Sequence, residues 1–335
     1  MQWNQTYGGG TYVYAYSLVE APDGGYAVAG SVGDSRSEVA RLLKTDALGN
    51  LQWSKSYGGG WSGAAYSVVV TSDDGFALAG YYTPPDPRLP YHRNLWLAKT
   101  DSAGTVEWEK NYDVGSDVSA NSLVATPDGG YVLAGPGLFK TDALGNPQWN
   151  KTYGGTFSSL IVTSNGGYAA CGSVAGDCWL VKTDSFGNLQ WNKTYGKAGE
   201  DDYARSLVET PDGGYAVAGT LNLAAYVNLE NLSDAVYTGD VWLAKTDAFG
   251  NVVWSQTYGG EGVDEACSLV ACSDGGYAVA GFKGMHYSLG IYPDFWLIKT
   301  DEFGVVPEFP AWATLPSLMI MTLLGVVVLK KQKQI

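Results

Sequence analysis

The sequence contains few of the residues from which most catalytic and metal sites are built. Its 335 residues include only two histidines and four cysteines, with no Cys-x-x-Cys spacing, which argues against a zinc site and a disulfide scaffold. Charged residues make up only 16%, and acids outnumber bases to give a net charge of −14. Nucleic-acid-binding surfaces normally carry a basic excess, so no nucleic acid is expected as a partner.

Glycine and aromatic residues are abundant instead. There are 45 glycines, without the three-residue period of collagen, and aromatic residues make up 13% of the chain. With 45% hydrophobic residues, the chain has enough apolar surface to form a core. Helical periodicity is absent from most of the chain, so the predicted fold class is all-β.

Three short elements recur six times, which identifies a repeat architecture. The first is a turn, Asp-Gly-Gly-Tyr in most copies, and the second is Lys-Thr-Asp followed after two residues by glycine. The third is a tryptophan with a tyrosine four residues on. The lysines are Lys44, Lys99, Lys140, Lys182, Lys245 and Lys299. The tryptophans are Trp3, Trp53, Trp108, Trp149, Trp191 and Trp254.

Each copy is predicted to form four short antiparallel strands, a to d. In the fifth copy these are Ser206–Glu209, Tyr215–Ala218, Val241–Lys245 and Val252–Tyr258. Glycine-rich tight turns join a to b and c to d, because glycine readily adopts positive φ. A four-stranded unit repeated six times is typical of a β-propeller blade.

The ends of the repeat region predict how the ring closes. The chain opens with a d-type strand that ends at Tyr7, and the last copy stops after strand c, near Asp301. We therefore predict a six-bladed β-propeller over residues 1–305, in which the amino-terminal strand completes the last blade and leaves no free sheet edge.

The run Lys-Thr-Asp-x-x-Gly-Asn-x-x-Trp resembles the end of quinoprotein-type propeller repeats. The fuller pattern, Trp-x-Lys-Thr-Tyr-Gly-Gly followed by Asp-Gly-Gly-Tyr and Asp-x-Trp-Leu-x-Lys-Thr-Asp, is similar to repeats of archaeal and bacterial surface propellers. The resemblance implies the fold and says little about activity. Quinoprotein dehydrogenases usually have eight blades and a calcium-bound quinone; here no cofactor and no metal is predicted.

After the repeats the composition changes. Residues 306–310 form a proline-rich linker, residues 311–329 carry no charge, and residues 330–335 form a basic tail. Nineteen apolar residues match the thickness of a bilayer core, so a transmembrane helix is predicted, with the tail in the cytoplasm and the propeller outside. Pro307, Glu308 and Phe309 resemble the archaeal PEF-type sorting signal, which implies cleavage by a sortase-like enzyme.

Export has further consequences for the sequence. Residues 1–30 contain no signal peptide, so a leader, or even further blades, is expected upstream.

Cys171 and Cys178 are predicted on neighbouring strands, where they could be free thiols or form a disulfide. In an exported protein, glycosylation is expected at some of the four Asn-x-Ser/Thr sites. These are Asn4, Asn150, Asn192 and Asn231.

In an antiparallel meander the b–c and d–a connections lie on one face, here called the loop face, and the a–b and c–d turns lie on the other, the turn face. The loop face varies between copies and is rich in aromatic residues, so we predict that it binds an envelope protein or glycan. The candidate residues are Trp61, Tyr81, Tyr82, Tyr91, His92, Tyr226, Tyr237, His286, Tyr287 and Tyr292. A structural envelope component without a specific ligand, or a glycan-cleaving or lactone-opening enzyme, are the alternatives.

Overall fold

A computed structural model describes residues 3–8, 12–34, 37–85, 92–115, 117–196, 200–227, 235–260, 262–285 and 293–306. Within these ranges all regular secondary structure is β-strand. The strands form consecutive antiparallel sheets, each from one copy of the repeat, and a single parallel bridge between Gly239 and Val263 joins the fifth sheet to the sixth. The prediction of an all-β fold built from four-stranded antiparallel units is therefore confirmed.

The sheets follow one another along the chain and are called blades one to six. Blade one contains β1 (Tyr12–Glu20), β2 (Tyr26–Asp34), β3 (Ser37–Thr45) and β4 (Leu51–Tyr57). Blade two contains β5 (Ser62–Val70), β6 (Phe76–Thr83), β7 (Asn94–Thr100) and β8 (Val106–Tyr112). Blade three contains β9 (Ser122–Ala125), β10 (Tyr131–Ala134), β11 (Leu138–Thr141) and β12 (Pro147–Lys151).

The second half of the chain repeats this arrangement. Blade four contains β13 (Thr156–Val162), β14 (Tyr168–Val174), β15 (Asp177–Thr183) and β16 (Leu189–Tyr195). Blade five contains β17 (Asp201–Glu209), β18 (Tyr215–Val227), β19 (Ala235–Thr246) and β20 (Val252–Tyr258). Blade six contains β21 (Val263–Ala271), β22 (Tyr277–Met285) and β23 (Asp294–Lys299).

The c–d turns are held by their aspartates. In blade one the Asp46 carboxylate accepts the backbone N–H groups of Leu48 and Asn50 at 2.9 and 2.8 Å, and its second oxygen accepts the Asn50 side-chain amide at 2.8 Å. Asp142, Asp184 and Asp247 make the same contacts. The repeated aspartates therefore close turns, which is the capping role their spacing indicates.

The a–b turns are held by buried lysines. The Lys140 ammonium lies 2.9 Å from the Asp128 carboxylate of its own blade and donates to the Thr141 carbonyl at 2.8 Å. The lysine is almost completely buried, so water cannot solvate its positive charge, and the carboxylate compensates that charge instead. Equivalent pairs are Lys44–Asp23, Lys99–Asp73, Lys245–Asp212 and Lys299–Asp274.

Neighbouring blades are joined by two repeated contacts. The Tyr57 hydroxyl donates to the Gly104 carbonyl of the next blade at 2.9 Å, while the Trp53 ring lies against the same glycine. The Val68 N–H donates to Ser17 Oγ of the preceding blade at 3.2 Å. Since this second contact joins the a strands of consecutive blades, these strands lie side by side and form the inner wall of the assembly.

The predicted closure of the ring is not formed among the described residues. β23 pairs with β22 alone, and residues 3–8 form no strand. Trp3 lies against Gly49 and the Tyr7 hydroxyl donates to the Gly49 carbonyl, so this segment occupies the strand-d position next to blade one. A six-bladed closed ring, with residues 1–305 as one domain, stays a prediction.

The predicted tail lies outside the described residues. This applies to Pro307, Glu308 and Phe309 and to residues 311–329. Among the residues that are described, no helix has the length and apolar character needed to span a bilayer.

Candidate binding face

The inner strand of most blades carries a β-bulge. In blade one the pairing of β1 with β2 shifts register between Ala15 and Ser17, so Tyr16 has no partner of its own. Bulges redirect a side chain and are frequent beside functional sites. The bulge residues are Tyr16, Tyr66, Ser158, Arg205 and Cys267.

The bulge position differs from the positions beside it. The residue after it is serine in each of these blades, and three of these serines, Ser17, Ser67 and Ser206, accept a backbone N–H of the next blade through their side-chain oxygens. The bulge residue itself is tyrosine, serine, arginine or cysteine. The contact between blades therefore requires a serine after the bulge, whereas the bulge position itself holds a different type of side chain in most blades.

A cluster of tyrosines surrounds the first two bulges. The rings of Tyr14 and Tyr16 are stacked with centroids 6.1 Å apart, Tyr16 meets Tyr66 edge to face at 4.9 Å, and Tyr66 lies 5.7 Å from Tyr81. Tyr14 and Tyr16 are exposed, whereas Tyr81 is buried. These four residues, the tyrosine cluster, form a ladder that runs from the blade core to the surface on the loop face.

Charged and polar groups border the buried end of the cluster. The Arg93 guanidinium lies 4.3 Å above the Tyr81 ring, and the Tyr81 hydroxyl is 3.0 Å from Ser62 Oγ and donates to Glu38 at 3.5 Å. Burial raises the pKa of Tyr66 to about 12. Burial also raises the pKa of Tyr16 and Tyr81, so these three hydroxyls remain protonated at neutral pH. The cluster therefore offers ring faces, hydroxyl donors and a cation.

A second group lies on blades five and six. The Arg205 guanidinium is 5.6 Å from the Tyr203 ring and 3.7 Å from Glu265 Oε2. Burial raises the pKa of Glu265, and the positive charge of Arg205 opposes that shift. Like Tyr14 and Tyr16, these residues lie at and beside the bulges, so the inner wall is aromatic on one side and charged on the other.

The predicted loop-face residues divide into packing and surface groups. Tyr81 is buried in the tyrosine cluster, and Tyr82 is half-buried against the core between blades one and two. Trp61 is exposed and donates its backbone N–H to Thr83 at 3.0 Å. His92 Nε2 lies 3.3 Å from the Asp113 carboxylate.

The remaining predicted residues give less information. Tyr226 and Tyr237 lie on the paired strands β18 and β19, one residue out of register, and their side chains are outside the described part. Tyr91, His286, Tyr287 and Tyr292 also lie outside the described residues. Among the glycosylation candidates, Asn4, Asn150 and Asn192 are exposed, and Asn231 is outside the described residues.

The cysteines are free in the structure. Cys171 and Cys178 are both buried and unpaired, and β14–β15 register places Leu180 opposite Cys171. Burial raises the pKa of both thiols, which keeps them protonated and unreactive. Within the described ranges, no group of three or more His, Cys, Asp or Glu side chains is arranged to hold a metal ion.

Sequence reasoning missed the bulge residues and their neighbours. The aromatic loop insertions drew attention to Tyr81, but Tyr16, Tyr66 and Arg205 lie within strands. An alignment of the six a strands would have shown one variable position before an invariant serine. That signal marks a variable position within the inner strands, whereas the insertions vary in the loops.

Comparison with known proteins places the fold. No family model and no curated protein matches the chain. Among solved structures it resembles Sqt1 from Chaetomium thermophilum, with a TM-score of 0.53, 12% identity, and 88% of this chain and 70% of that one covered. It also resembles streptogramin B lyase, with a TM-score of 0.48, 9% identity and coverage of 88% and 89%.

A third solved structure is the WD40 domain of Pan2 from Neurospora crassa, with a TM-score of 0.47, 12% identity and coverage of 79% and 85%. Identities this low establish architecture alone. The chain has a β-propeller fold like that of Sqt1.

Proposed function

We propose that this chain is an interaction module that binds a protein partner through the tyrosine cluster on its loop face. The supporting observation is that exposed Tyr14 and Tyr16 lie next to half-buried Tyr66 and buried Tyr81, with the Arg93 guanidinium above the Tyr81 ring. Tyrosine and arginine side chains that are held in place by well-packed neighbours contribute most of the binding energy at protein interfaces.

The location of the cluster supports a binding role over a packing role. Tyr14 and Tyr16 expose much of their surface to solvent, whereas rings that only fill a core are buried. A solved structure shows Sqt1 bound to the N-terminus of the ribosomal protein L10; that interaction is a property of Sqt1. A glycan that stacks on the tyrosine rings is the alternative ligand.

The test compares the full chain with the double variant Tyr14→Ala/Tyr16→Ala. Captured proteins from an envelope fraction are identified by mass spectrometry, and a glycan array is probed in parallel. We expect the double variant to lose the protein capture by at least tenfold, with the melting temperature almost unchanged. A matched control, Leu144→Ala/Phe249→Ala, removes two exposed apolar side chains from the turn face. Equal loss in both variants contradicts the proposed site.

We further propose that the module is displayed at the cell surface and anchored through residues 311–329. The support is the run of nineteen uncharged residues followed by Lys330, Lys331 and Lys333, which matches a bilayer-spanning segment with a cytoplasmic end. The full chain should sediment with membranes and resist alkaline extraction. Full-length protein that stays in solution without detergent contradicts anchoring, and a mature end at 307–310 in mass spectra would indicate sortase processing.

A further inference from the structure

The turn face carries a ring of exposed apolar side chains that the fold does not need. The residue before the glycine of the c–d turn is Leu48, Leu144, Phe186, Phe249 or Phe303 in five blades, and each is 60–69% exposed. In blade two the same position is Ala103. We call these six positions the c–d rim.

The geometry of the turn does not explain these residues. The turn is closed by the aspartate carboxylate and by a glycine with positive φ, such as Gly187 with φ of 72°. Blade two keeps the same backbone bonds with alanine at the tip. Large apolar groups at an exposed turn tip therefore require another explanation, because contiguous exposed apolar surface is typical of interaction sites.

The start of the following strand enlarges each apolar tip. Three residues beyond the tip lies a second exposed apolar side chain in most blades. These are Leu51, Val106, Leu189, Val252 and Val306. Most blades therefore present an apolar pair, and equivalent turns of successive blades lie on the same face of a propeller.

The charges near the rim are largely compensated. The a–b aspartates on this face are paired with the lysines of their own blades. The c–d aspartates accept two or three hydrogen bonds within their own turns. Compensated charges lower the cost of bringing the rim close to an uncharged surface, although they do not remove the net negative charge of the protein.

The path of the chain points to the surface that covers the rim. Blade six ends on the turn face, where the c–d turn at Gly304 is followed by Val305 and Val306. Only residues 307–310 separate this point from the uncharged segment 311–329. Five chain steps span at most about 18 Å, so a bilayer that contains the segment lies next to the rim.

We propose that the c–d rim rests on the surface of a bilayer of neutral or zwitterionic lipids. The proposal relies on the anchoring part of the proposed function and adds an orientation to it. Leu and Phe side chains at the turn tips insert between headgroups, as the apolar residues of interfacial segments do. The loop face and its tyrosine cluster then point away from the membrane, where a partner can reach them.

The experiment uses the full chain in phosphatidylcholine vesicles that contain a lipid-borne quencher. A fluorophore is attached to Ala103→Cys at the rim or, as a control, to Tyr16→Cys on the loop face, with Cys267 and Cys272 changed to serine. We expect strong quenching at position 103 and none at position 16. Equal quenching at both positions, or none at position 103 in chains that float with the vesicles, overturns the proposal.

A rim variant tests whether the apolar tips cause the contact. Changing Leu48, Leu144, Phe186 and Phe249 to serine should reduce quenching at position 103 by at least half while the chain still floats with the vesicles. Unchanged quenching overturns a role for the tips. Failure of the unmodified chain to float overturns anchoring and the rim contact together, whereas loss of partner capture with normal quenching affects only the proposed binding site.

Discussion

The blade faces that pack against a neighbouring blade and the two end faces, on blades one and six, carry equivalent residues of the repeat but differ in their surroundings. The c-strand leucine that faces the next blade is completely buried in blades one to five, but Leu297 in blade six is 71% exposed. The buried equivalents are Leu42, Leu97, Leu138, Leu180 and Leu243. Burial at this position therefore depends on the neighbouring blade, because the leucine lies two residues before the lysine of strand c in all six blades.

The opposite face of blade one shows the same contrast. Leu18 on β1 is 61% exposed, whereas its equivalents are 2–4% exposed. Those equivalents are Val68, Leu123, Leu160, Leu207 and Leu269. Residues 5–8 cross this face and enclose a groove of about 660 Å³ lined by Val28, Gly30 and Leu43. Both end faces thus have the composition of an interior and the exposure of a surface.

Repeat units of this kind cannot bury their apolar faces alone. An exposed sheet edge with an apolar face also invites association with other chains. Among the described residues blade six has three strands, and residues 3–8 occupy a strand-d position without belonging to a sheet. The two deficits are complementary, which supports the sequence-based prediction that the ends close on each other.

The largest expected effect comes from truncating the face leucines. Leu97→Ala removes a fully buried side chain and should lower the free energy of unfolding by about 3 kcal/mol. If the ring closes in solution as we expect, Leu297→Ala should cost about 2 kcal/mol in urea unfolding. A cost below about 0.5 kcal/mol would show that the last face stays as exposed as in the structure.

A cysteine pair identifies what covers the last face. Leu97 is paired with Lys110 on the next strand, and the same register would place Leu297 opposite Gln5. With Cys267 and Cys272 changed to serine, Gln5→Cys/Leu297→Cys should form a disulfide within one chain. Thr6→Cys/Leu297→Cys, out of register, is the control. Disulfide-linked dimers would assign the face to a second copy, and the absence of any disulfide would contradict closure.

Glycines at the c–d turns test how firmly each junction holds its tryptophan. Gly145 has φ of 75°, and an added Cβ would lie 2.7 Å from the Trp108 ring. Gly49 has φ of 77° and the same 2.7 Å distance to Trp3. Both alanine substitutions introduce backbone strain, but Trp3 belongs to a short segment outside any strand.

We therefore expect Gly145→Ala to destabilise by about 3 kcal/mol and Gly49→Ala by about 1 kcal/mol, since Trp108 is fixed in a strand and clashes with the added methyl group, whereas Trp3 can move away from it. Thermal unfolding of the two variants measures the difference. Equal losses would mean that Trp3 is held as firmly as the internal tryptophans, which would also favour a closed ring.

The sheets could be predicted from the repeat, but the burial of each blade face could not. Lys-Thr-Asp, Asp-Gly-Gly and the tryptophan each determine a local turn or contact, so the strands followed from the residues themselves. The partner of the turn aspartate did not follow, because Asp128 and Lys140 are separated by eleven residues and meet only when β10 and β11 pair. Contacts between blades depend on the whole assembly.

The binding site expected in the loop insertions stays a prediction, and it shares only Tyr81 with the tyrosine cluster. Long insertions were expected to carry the binding residues, whereas the four residues of the tyrosine cluster lie on β1, β5 and β6. Tyr16 and Tyr66 resemble ordinary strand residues in sequence. Their role depends on bulges, and a bulge is a consequence of pairing register that no single strand reveals.

The ion pairs of the a–b turns should respond to acid, and more so inside the assembly than at its end. Burial of the Asp128 carboxyl raises its pKa, but hydrogen bonds from the Thr126 hydroxyl and the Lys140 ammonium outweigh this effect and hold the pKa at about 2. Lys99 and the Thr71 hydroxyl likewise hold the pKa of Asp73 at about 2. Because the folded pKa lies below the unfolded value, these carboxylates stabilise the fold above about pH 4. That stability should be lost as the pH falls from about 4 to 2.

Substitution separates the internal pair from the terminal pair. Asp128→Asn leaves the buried Lys140 without a counter-ion and should cost about 1–2 kcal/mol at pH 7, with allowance for solvent screening of the exposed carboxylate. Asp274→Asn should cost clearly less, because the Lys299 side chain in blade six is 44% exposed and water screens the exposed pair. Equal costs at pH 7, or a cost of Asp128→Asn that persists at pH 2, would contradict this account.

The smallest expected effect repairs the one blade whose a–b turn lacks the aspartate. In blade four Asn165 replaces it, and Lys182 is buried, donates to the Thr183 carbonyl at 2.8 Å, and has a pKa lowered by that burial. Asn165 accepts a hydrogen bond from the Thr163 hydroxyl at 2.7 Å, as Asp128 accepts one from Thr126 in blade three, so an aspartate fits the same turn.

Asn165→Asp should therefore stabilise the fold by about 0.5–1 kcal/mol at pH 7 and raise the pKa of Lys182. The gain requires an ionised carboxylate, so it should disappear below about pH 4, whereas Asn165→Ala should destabilise at every pH. If Asn165→Asp is no more stable than the unmodified chain at pH 7, the ion pair with Lys182 adds nothing to the free energy of unfolding. The aspartates of the other blades would then serve only to close the turn.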